Sequence, residues 1–418
     1  MPPAGAFCAL PGSVVYRTGG VVTVVAGGAT LPDLDWLSVP EGFCVHHFGN
    51  VPNARQIRIA PGGEAFVASP TAETTGGGPG GKAAIVVLPD DNHDGVADAT
   101  LTFLSSLPST QGLLFAPGYL YYQDGTIIRK LAYAAGQRQS SQTGTEIANI
   151  TVYVSPLHWP KPIDVADDGT LYVGNGSDQG EVCYAARPFV GGILELDGPI
   201  GGAQVAKGFR NPISLRCQRG HDHCFAVEMT LDYSEAQGGR EKLVEVKPGD
   251  FGFPCCATTG VPFGGVVAYG DAGQSEGTPD CSDIAAELAA FHVGRSPISL
   301  EFAPASWPAP WAGRVLVSFH GEFGSWIGAN VTGIDVDPST GMPDHTSELG
   351  LDAGLLPPTE SYFASGWDDG KQDHGRPDDL AVAADGRLFL TNDVTGEIVW
   401  IAPSALTPGA ADGGAEAW

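Results

Sequence analysis

The sequence predicts an all-β chain, a six-bladed β-propeller of four-stranded antiparallel blades, and three observations predict it. A turn-and-strand unit recurs six times: APGGEAFVAS from Ala60, APGYLYYQDG from Ala116, ADDGTLYVGN from Ala166, RGHDHCFAVE from Arg219, PAPWAGRVLVS from Pro308 and AADGRLFLTN from Ala383. The composition is that of a turn-rich chain, with 59 Gly and 33 Pro in 418 residues and only 17% charged residues. No long stretch sustains a helical period, and Ser282 to Phe291 is the one helix candidate.

Each unit joins a tight Gly-, Asp- or Pro-rich turn to a strand of alternating apolar residues, the pattern of a hairpin. The first four units lie roughly fifty residues apart, the scale of one propeller blade. The last two are further apart, and long insertions through Pro254 to Ser296 and Asp337 to Gly375 account for the gap. A β-sandwich or two smaller β domains would also give turn-bounded strands at regular spacing. Because the units run nearly end to end without a low-complexity linker, residues 1–403 read as one propeller. Residues 404–418, SALTPGAADGGAEAW, read as a tail or linker remnant.

A formal net charge of −27 excludes binding to a phosphate backbone, which needs Lys and Arg to displace counterions. No apolar run reaches the roughly 18 to 20 residues of a membrane span. The N-terminus lacks a charged-then-apolar signal, so the reading is a secreted protein whose signal peptide has been removed. Eight cysteines without a CxxC pair favour disulfides over zinc. Cys217 and Cys224 flank the turn QRGHDH and are placed to bridge a hairpin, and Cys8 with Cys44 would pin the N-terminus. Sequons at Asn149, Asn175 and Asn330 also fit secretion. Without an amphipathic helix or a long exposed strand, the expected state is a monomer.

One stretch has a cation pattern. In PDDNHDGVAD, Asp90, Asn92, Asp94 and Asp98 place oxygens at alternating positions around Gly95, as a short Ca²⁺ loop requires, although the bidentate Glu of an EF-hand is missing. A solvated acidic turn between two strands has the same pattern.

Catalytic candidates come from residues that open the inner strands, since these ring a propeller's channel. His158 stands just ahead of such a strand, followed by Trp159 and Lys161, and an imidazole there suits a general base. Comparable positions hold Arg55, Arg210 with Asn211, His292, His320 and Arg376, in a chain with only 21 Lys and Arg. A ring of cations at a channel mouth suits a small polyanion.

The series PNARQIRIAPGG, HWPKPIDVADDGTLYVGNGS, KGFRNPISL, REKLVEVKPGDFGFP and GRPDDLAVAADGRLFLTND, running from about Gly42 to Ala402, resembles the glucose and sorbosone dehydrogenase family of soluble quinoproteins. Members are six-bladed propellers that bind pyrroloquinoline quinone (PQQ). The extra cysteines, the sequons and the HGEFGSW segment make the chain most similar to the PQQ domain of fungal pyranose dehydrogenases, secreted sugar oxidisers sometimes fused to a haem domain. The resemblance implies that His158 is the base that takes the proton of the sugar's anomeric hydroxyl. It implies that Arg210 and Asn211 contact the quinone oxygens, that Arg376 holds a PQQ carboxylate, and that Arg55, Lys161, His292 and His320 line the pocket. It further implies a Ca²⁺ held by the carbonyls of Thr230 and Leu231, with Asp232 as a possible contributor.

The chain departs from the bacterial enzymes of that family where they carry a second arginine, here Asp378, and where they carry a lysine, near His320. The expected activity is therefore a PQQ- and Ca²⁺-dependent oxidation of a pyranose or 2-keto-aldose at C1. Electrons would pass to an external acceptor such as a haem b cytochrome domain, and the preferred sugar is not transferable from the bacterial enzymes. Two other readings compete: a Ca²⁺-dependent propeller lactonase or hydrolase using Asn175, Asn211 and Asp393, and a propeller that binds a glycan without catalysis.

Overall fold

The computed structural model describes residues 7–70, 83–150, 158–177, 183, 191–196, 203–230, 235–262, 268–269, 275–351 and 355–404. The expected Leu231 and Asp232 lie outside them.

The six recurrences are the six inner hairpins of a ring. In each, the turn glycine sits in the left-handed region: Gly63, Gly118, Gly169, Gly220, Gly313 and Gly386 have φ between 72° and 93°. A side chain with a Cβ rarely adopts that conformation, which is why each copy carries a Gly in its turn.

Blade one is built of Ile57–Ile59, Ala65–Ser69, Ala83–Leu88 and Leu101–Leu107. Blade two follows with Leu113–Ala116, Tyr119–Asp124, Ile127–Ala132 and Thr145–Asn149. Blade three is Ile163–Val165, Leu171–Asn175, Gly192–Glu195 and Ala203–Lys207, and blade four is Asn211–Gln218, His223–Met229, Glu241–Glu245 and Ala289–Phe291. Blade five is Pro297–Phe302, Val315–Phe319, Asn330–Ile334 and Glu360–Ala364. The inner strands pack on one another in sequence, and that of blade six packs back on blade one.

Blade six combines both ends of the chain. Arg376–Val382, Leu388–Asp393 and Glu397–Pro403 are completed by Phe43–Asn50, which pairs antiparallel with Glu397–Pro403, and the hairpin Val14–Arg17 and Val21–Val24 extends the same sheet. The Cys8–Cys44 disulfide ties the N-terminal segment to this closing strand, as expected. Cys217–Cys224 also forms as expected, across directly paired positions of blade four. Cys183–Cys255 and Cys256–Cys281 complete the set.

The insertions brace neighbouring blades. Gly249–Asp250, from the long connection of blade four, adds a parallel strand to the outer edge of blade three. Thr346–Ser347, from the connection in blade five, does the same for blade four. Both cover edges that would otherwise expose unpaired backbone groups.

The helix expected at Ser282 to Phe291 is absent: Ala289–Phe291 is the outermost strand of blade four, paired with Glu241–Leu243. The pull of a sheet edge overrides the helical preference of an Ala-rich run. Helical geometry among the described residues is confined to the 3₁₀ turns Phe7–Ala9 and Glu235–Gln237.

Aromatic side chains fill the spaces between blades. Phe66, Phe103, Phe115 and Tyr133 meet between blades one and two, and Phe43, Trp307, Trp311 and Phe363 between blades five and six. Fully burying a Phe in this way stabilises the fold by about 2 to 3 kcal/mol.

Polar residues plug the channel. Asp379 of blade six accepts from Arg58 of blade one (2.6 Å) and Arg216 of blade four (3.2 Å), and also from the Ile57 N–H and the Ser299 hydroxyl. Arg216 also contacts Glu301 of blade five (3.4 Å). Four inner strands are thereby cross-linked near the axis.

Candidate functional site at the channel mouth

Antiparallel pairing brings the start of each inner strand beside the end of the next strand out. Asn211 pairs with Met229, Pro297 with Phe319, and Arg376 with Asp393. The mouth is therefore built from two kinds of position. The residues ahead of inner strands were visible in the sequence. The sequence places His320 among the residues that open inner strands; it instead follows the second strand of blade five, Val315–Phe319, just as Thr230 follows and Asp393 ends the second strands of blades four and six.

His158 is buried in this mouth, 7% exposed. Its Nδ1 lies 2.5 Å from the Ser177 carbonyl, so Nδ1 carries the proton and Nε2 the lone pair. Burial, aided by the charges of Arg210 and Lys161 and opposed by the Ser177 carbonyl, pushes its pKa down to about 4. The imidazole is thus neutral across the physiological range. Its loop is clamped from blade two by Gln123, whose Nε2 donates to the Trp159 carbonyl (2.8 Å) and whose Oε1 accepts from the Lys161 N–H (3.0 Å). Lys161 is itself buried, and that burial pushes its ammonium down to about 7.

Arg210 and Asn211 open blade four beside this loop. The Ser177 N–H donates to the Arg210 carbonyl (2.6 Å), and the Arg210 N–H donates to Glu228 Oε1 (2.7 Å). The Arg210 guanidinium donates through Nη1 to the Thr230 carbonyl (2.8 Å), and among the described residues no carboxylate stands within ion-pair distance of it. Asn211 Oδ1 is buried without a hydrogen-bond partner.

A second group of charges lies where blade six meets blades one and five. Arg376 donates through Nε to the His320 carbonyl and through Nη2 to the Gly321 carbonyl, both at 2.7 Å, and its guanidinium sits 4.8 Å from the Trp326 ring centre. Burial pushes Arg376 down to about 10, with Arg55 adding to the fall and Asp393 and Asp378 opposing it. Arg55 pairs with Asp378 (2.8 Å) and Asp393 (3.3 Å). His320 Nε2 lies 3.2 Å from Asp393 Oδ2 and 3.5 Å from Asp378 Oδ2. Burial works to raise the Asp393 carboxyl, but His320 and Arg55 hold it well below the usual carboxylate range.

The remaining expected site residues fare differently. The His292 ring is held by Glu235 (2.9 Å) at the end of the outermost strand of blade four, not by the Arg55 or Arg210 groups. In the loop after Ala83–Leu88, the oxygens of Asp90, Asn92 and Asp98 are engaged internally. Asp94 N–H donates to Asp90 Oδ1 (3.1 Å) and Asn92 Oδ1 (2.9 Å), Asp91 N–H donates to Asp98 Oδ2 (2.6 Å), and Asp90 also faces Arg387 (3.9 Å). Of the three sequons, Asn175 and Asn330 have buried side chains, which closes them to glycosylation in the folded chain.

A cavity of about 1020 Å³ opens at the other end of the channel, below the Asp379 plug, where it is lined by Ile59, Gln218, Phe302, Val382 and Arg387. The neutral imidazole and the cations of the mouth do not line it, so the chemistry is assigned to the mouth.

No family model and no curated protein matches this chain. Solved structures do resemble it. A Trichoderma reesei enzyme of carbohydrate-active enzyme family AA12 aligns with a TM-score of 0.66 at 16% identity, over 90% of this chain and 100% of that one. A calcium structure of Trichoderma reesei family AA12 aligns with a TM-score of 0.64 at 14% identity, over 88% of this chain and 97% of that one. The holo form of the pyranose dehydrogenase PQQ domain from Coprinopsis cinerea aligns with a TM-score of 0.64 at 14% identity, over 93% and 99%. The PQQ-bound aldose sugar dehydrogenase from Streptomyces coelicolor aligns with a TM-score of 0.55 at 16% identity, over 87% and 99%. At these identities the likeness is one of fold.

Proposed function

We propose that this chain is a PQQ-dependent sugar dehydrogenase that oxidises the C1 hydroxyl of a pyranose or 2-keto-aldose. The observation that carries the reading is His158: a buried imidazole held neutral, with Nδ1 fixed on the Ser177 carbonyl, at the mouth of a propeller that aligns end to end with sugar-oxidising quinoproteins.

The residues present suit a polycarboxylate quinone. Arg376 is buried with its charge answered by carbonyl oxygens and a ring face, and among the described residues no carboxylate pairs with it directly. A ligand carboxylate there would supply the missing countercharge. Arg210 would stand at the quinone oxygens, held in place by Glu228 through its backbone N–H, with Asn211 beside it. Lys161, Arg55 and His320 would line the same pocket. Asp378 and Asp393 would repel an anion, and their pairing with Arg55 and His320 offsets this. When bound, PQQ supplies an electron-poor quinone carbon that accepts hydride.

His158 takes the hydroxyl proton on Nε2 as C1 loses hydride, so that the C1 oxygen becomes the carbonyl of a lactone or acid. The resulting imidazolium is unstable in this setting, because burial and the Arg210 charge disfavour it, and so it returns its proton readily. Arg210 offsets negative charge developing on the acceptor. Calcium would take the Thr230 carbonyl, which Arg210 Nη1 holds at 2.8 Å and would have to release. Electrons would leave to an external acceptor, a haem b cytochrome domain among the candidates. Four disulfides fit an oxidising, extracellular setting.

Reconstitution of the apo-protein with PQQ and Ca²⁺ tests this. The quinone absorbance should bleach when a sugar is added. An absorbance unchanged by glucose, fucose, glucosone and cello-oligosaccharides would sink the reading.

A further inference from the structure

The groups around Arg55 are arranged as more than an ion pair. His320 directly follows the second strand of blade five, Asp378 lies near the start of the inner strand of blade six, and Asp393 ends the strand beside it. One ligand-type atom from each lies within 4.8 Å of the other two. All three side chains are buried, at 5%, 1% and 7% exposure. His320 Nε2 and Asp393 Oδ1 are also buried without a well-directed hydrogen bond. A nitrogen 3.2 Å from one carboxylate and 3.5 Å from another, with its N–H direction missing both, has the geometry of ligands converging on a common centre.

We propose that His320, Asp378 and Asp393 form a transition-metal site, for Zn²⁺ or a similar divalent cation, in which the metal replaces Arg55 as the countercharge. Bonds of about 2.0 to 2.2 Å in a tetrahedron place ligand atoms about 3.4 Å apart, which matches the two His320 separations. One imidazole and two carboxylates leave the fourth position to water or a ligand. The imidazole sets this site apart from calcium, which takes six to eight oxygens, so it is distinct from a Ca²⁺ held by backbone carbonyls. Arg55 is the member able to yield: its side chain, at 20%, is more exposed than those of His320, Asp378 and Asp393. Arg376 stays in place, because it is bonded to the His320 and Gly321 carbonyls and not to either carboxylate. The site does not depend on the cofactor reading, since its ligands belong to the chain alone.

The test is a titration of apo-protein with Zn²⁺ by calorimetry and with Co²⁺ by visible absorption. One ion should bind per chain, with the intense cobalt bands of four-coordination. Affinity should fall by at least the roughly tenfold to hundredfold that loss of a supporting partner costs in His320→Gln and Asp378→Asn, and rise in Arg55→Ala, where the competing cation is gone. His374→Ala should change nothing, although Asp369, Asp373 and His374 form an exposed cluster of similar composition. Weak, six-coordinate cobalt bands in the unmodified protein would overturn the proposal, as would unchanged affinity in a folded His320→Gln or loss of binding in His374→Ala. The cobalt spectrum of the unmodified protein decides the matter even where a variant fails to fold.

Discussion

Gly176 lies directly against His158. A Cβ built on Gly176 would fall 2.5 Å from the Cβ of His158 and 3.1 Å from Asn211 Oδ1, so the histidine's position depends on the missing side chain. Real Cβ atoms do not come that close, and the His158 carbonyl oxygen, 3.1 Å from the same point, limits escape.

Gly176→Ala should therefore displace the imidazole. The expected result is a loss of stability of about 1 to 3 kcal/mol, accompanied by a drop in kcat larger than the change in PQQ affinity. Denaturant unfolding together with steady-state kinetics on the reconstituted enzyme reads both.

Replacement of the base itself gives a cleaner separation. His158→Gln should retain PQQ binding and lose kcat by about 10² to 10⁴. Turnover at the original rate would remove His158 from the role assigned to it.

The low pKa of His158 has a pH signature. Its folded value of about 4 lies below the ordinary 6.5, so the unfolded chain binds the extra proton first as pH falls. Stability contributed by the neutral imidazole is fully present above pH 6.5 and is lost as pH drops toward 4, by an amount on the order of 3 kcal/mol. Titration of the His158 ring by NMR in the apo-protein should show it still neutral at pH 5. The stability difference between the original protein and His158→Gln should shrink over the same window.

The channel plug predicts a purely structural effect. Asp379→Asn would leave Arg58 and Arg216 with less countercharge in a buried setting. The expected cost is about 3 to 5 kcal/mol, seen as a lower melting temperature. PQQ affinity should hold in whatever fraction remains folded.

Much of this architecture was legible in the sequence because its signals are local. Each inner hairpin needs a glycine that tolerates positive φ, and all six turn glycines stand where the recurrences placed them. His158, Arg210 and Arg376 were visible because they stand ahead of, or open, inner strands. Asp378 was visible only as a departure from a family pattern, and its pairing with Arg55 was not, since those residues meet across the join between the last blade and the first. Gln123 and Glu228 were missed for a similar reason. Both lie on second strands, and nothing about a glutamine or glutamate in an apolar strand announces that the one will hold the neighbouring blade's loop and the other the backbone of Arg210 in its own blade. The false helix at Ser282 to Phe291 shows the limit of composition, since an Ala-rich run joins a sheet when an edge is there to receive it.

The closing strand Phe43–Asn50 has a temporal consequence. It can find its partner only after Glu397–Pro403 has been made, so the ring closes only once the last strand of blade six exists. Arg55 and its two aspartates sit on opposite sides of that seam. A nascent chain thus carries five of the six hairpins well before it carries a mouth able to hold an anion or a metal. Until then its strands at the seam are exposed edges that invite misassembly. Loading with cofactor is in this sense a proofreading event, since it reports that both ends of the chain have met.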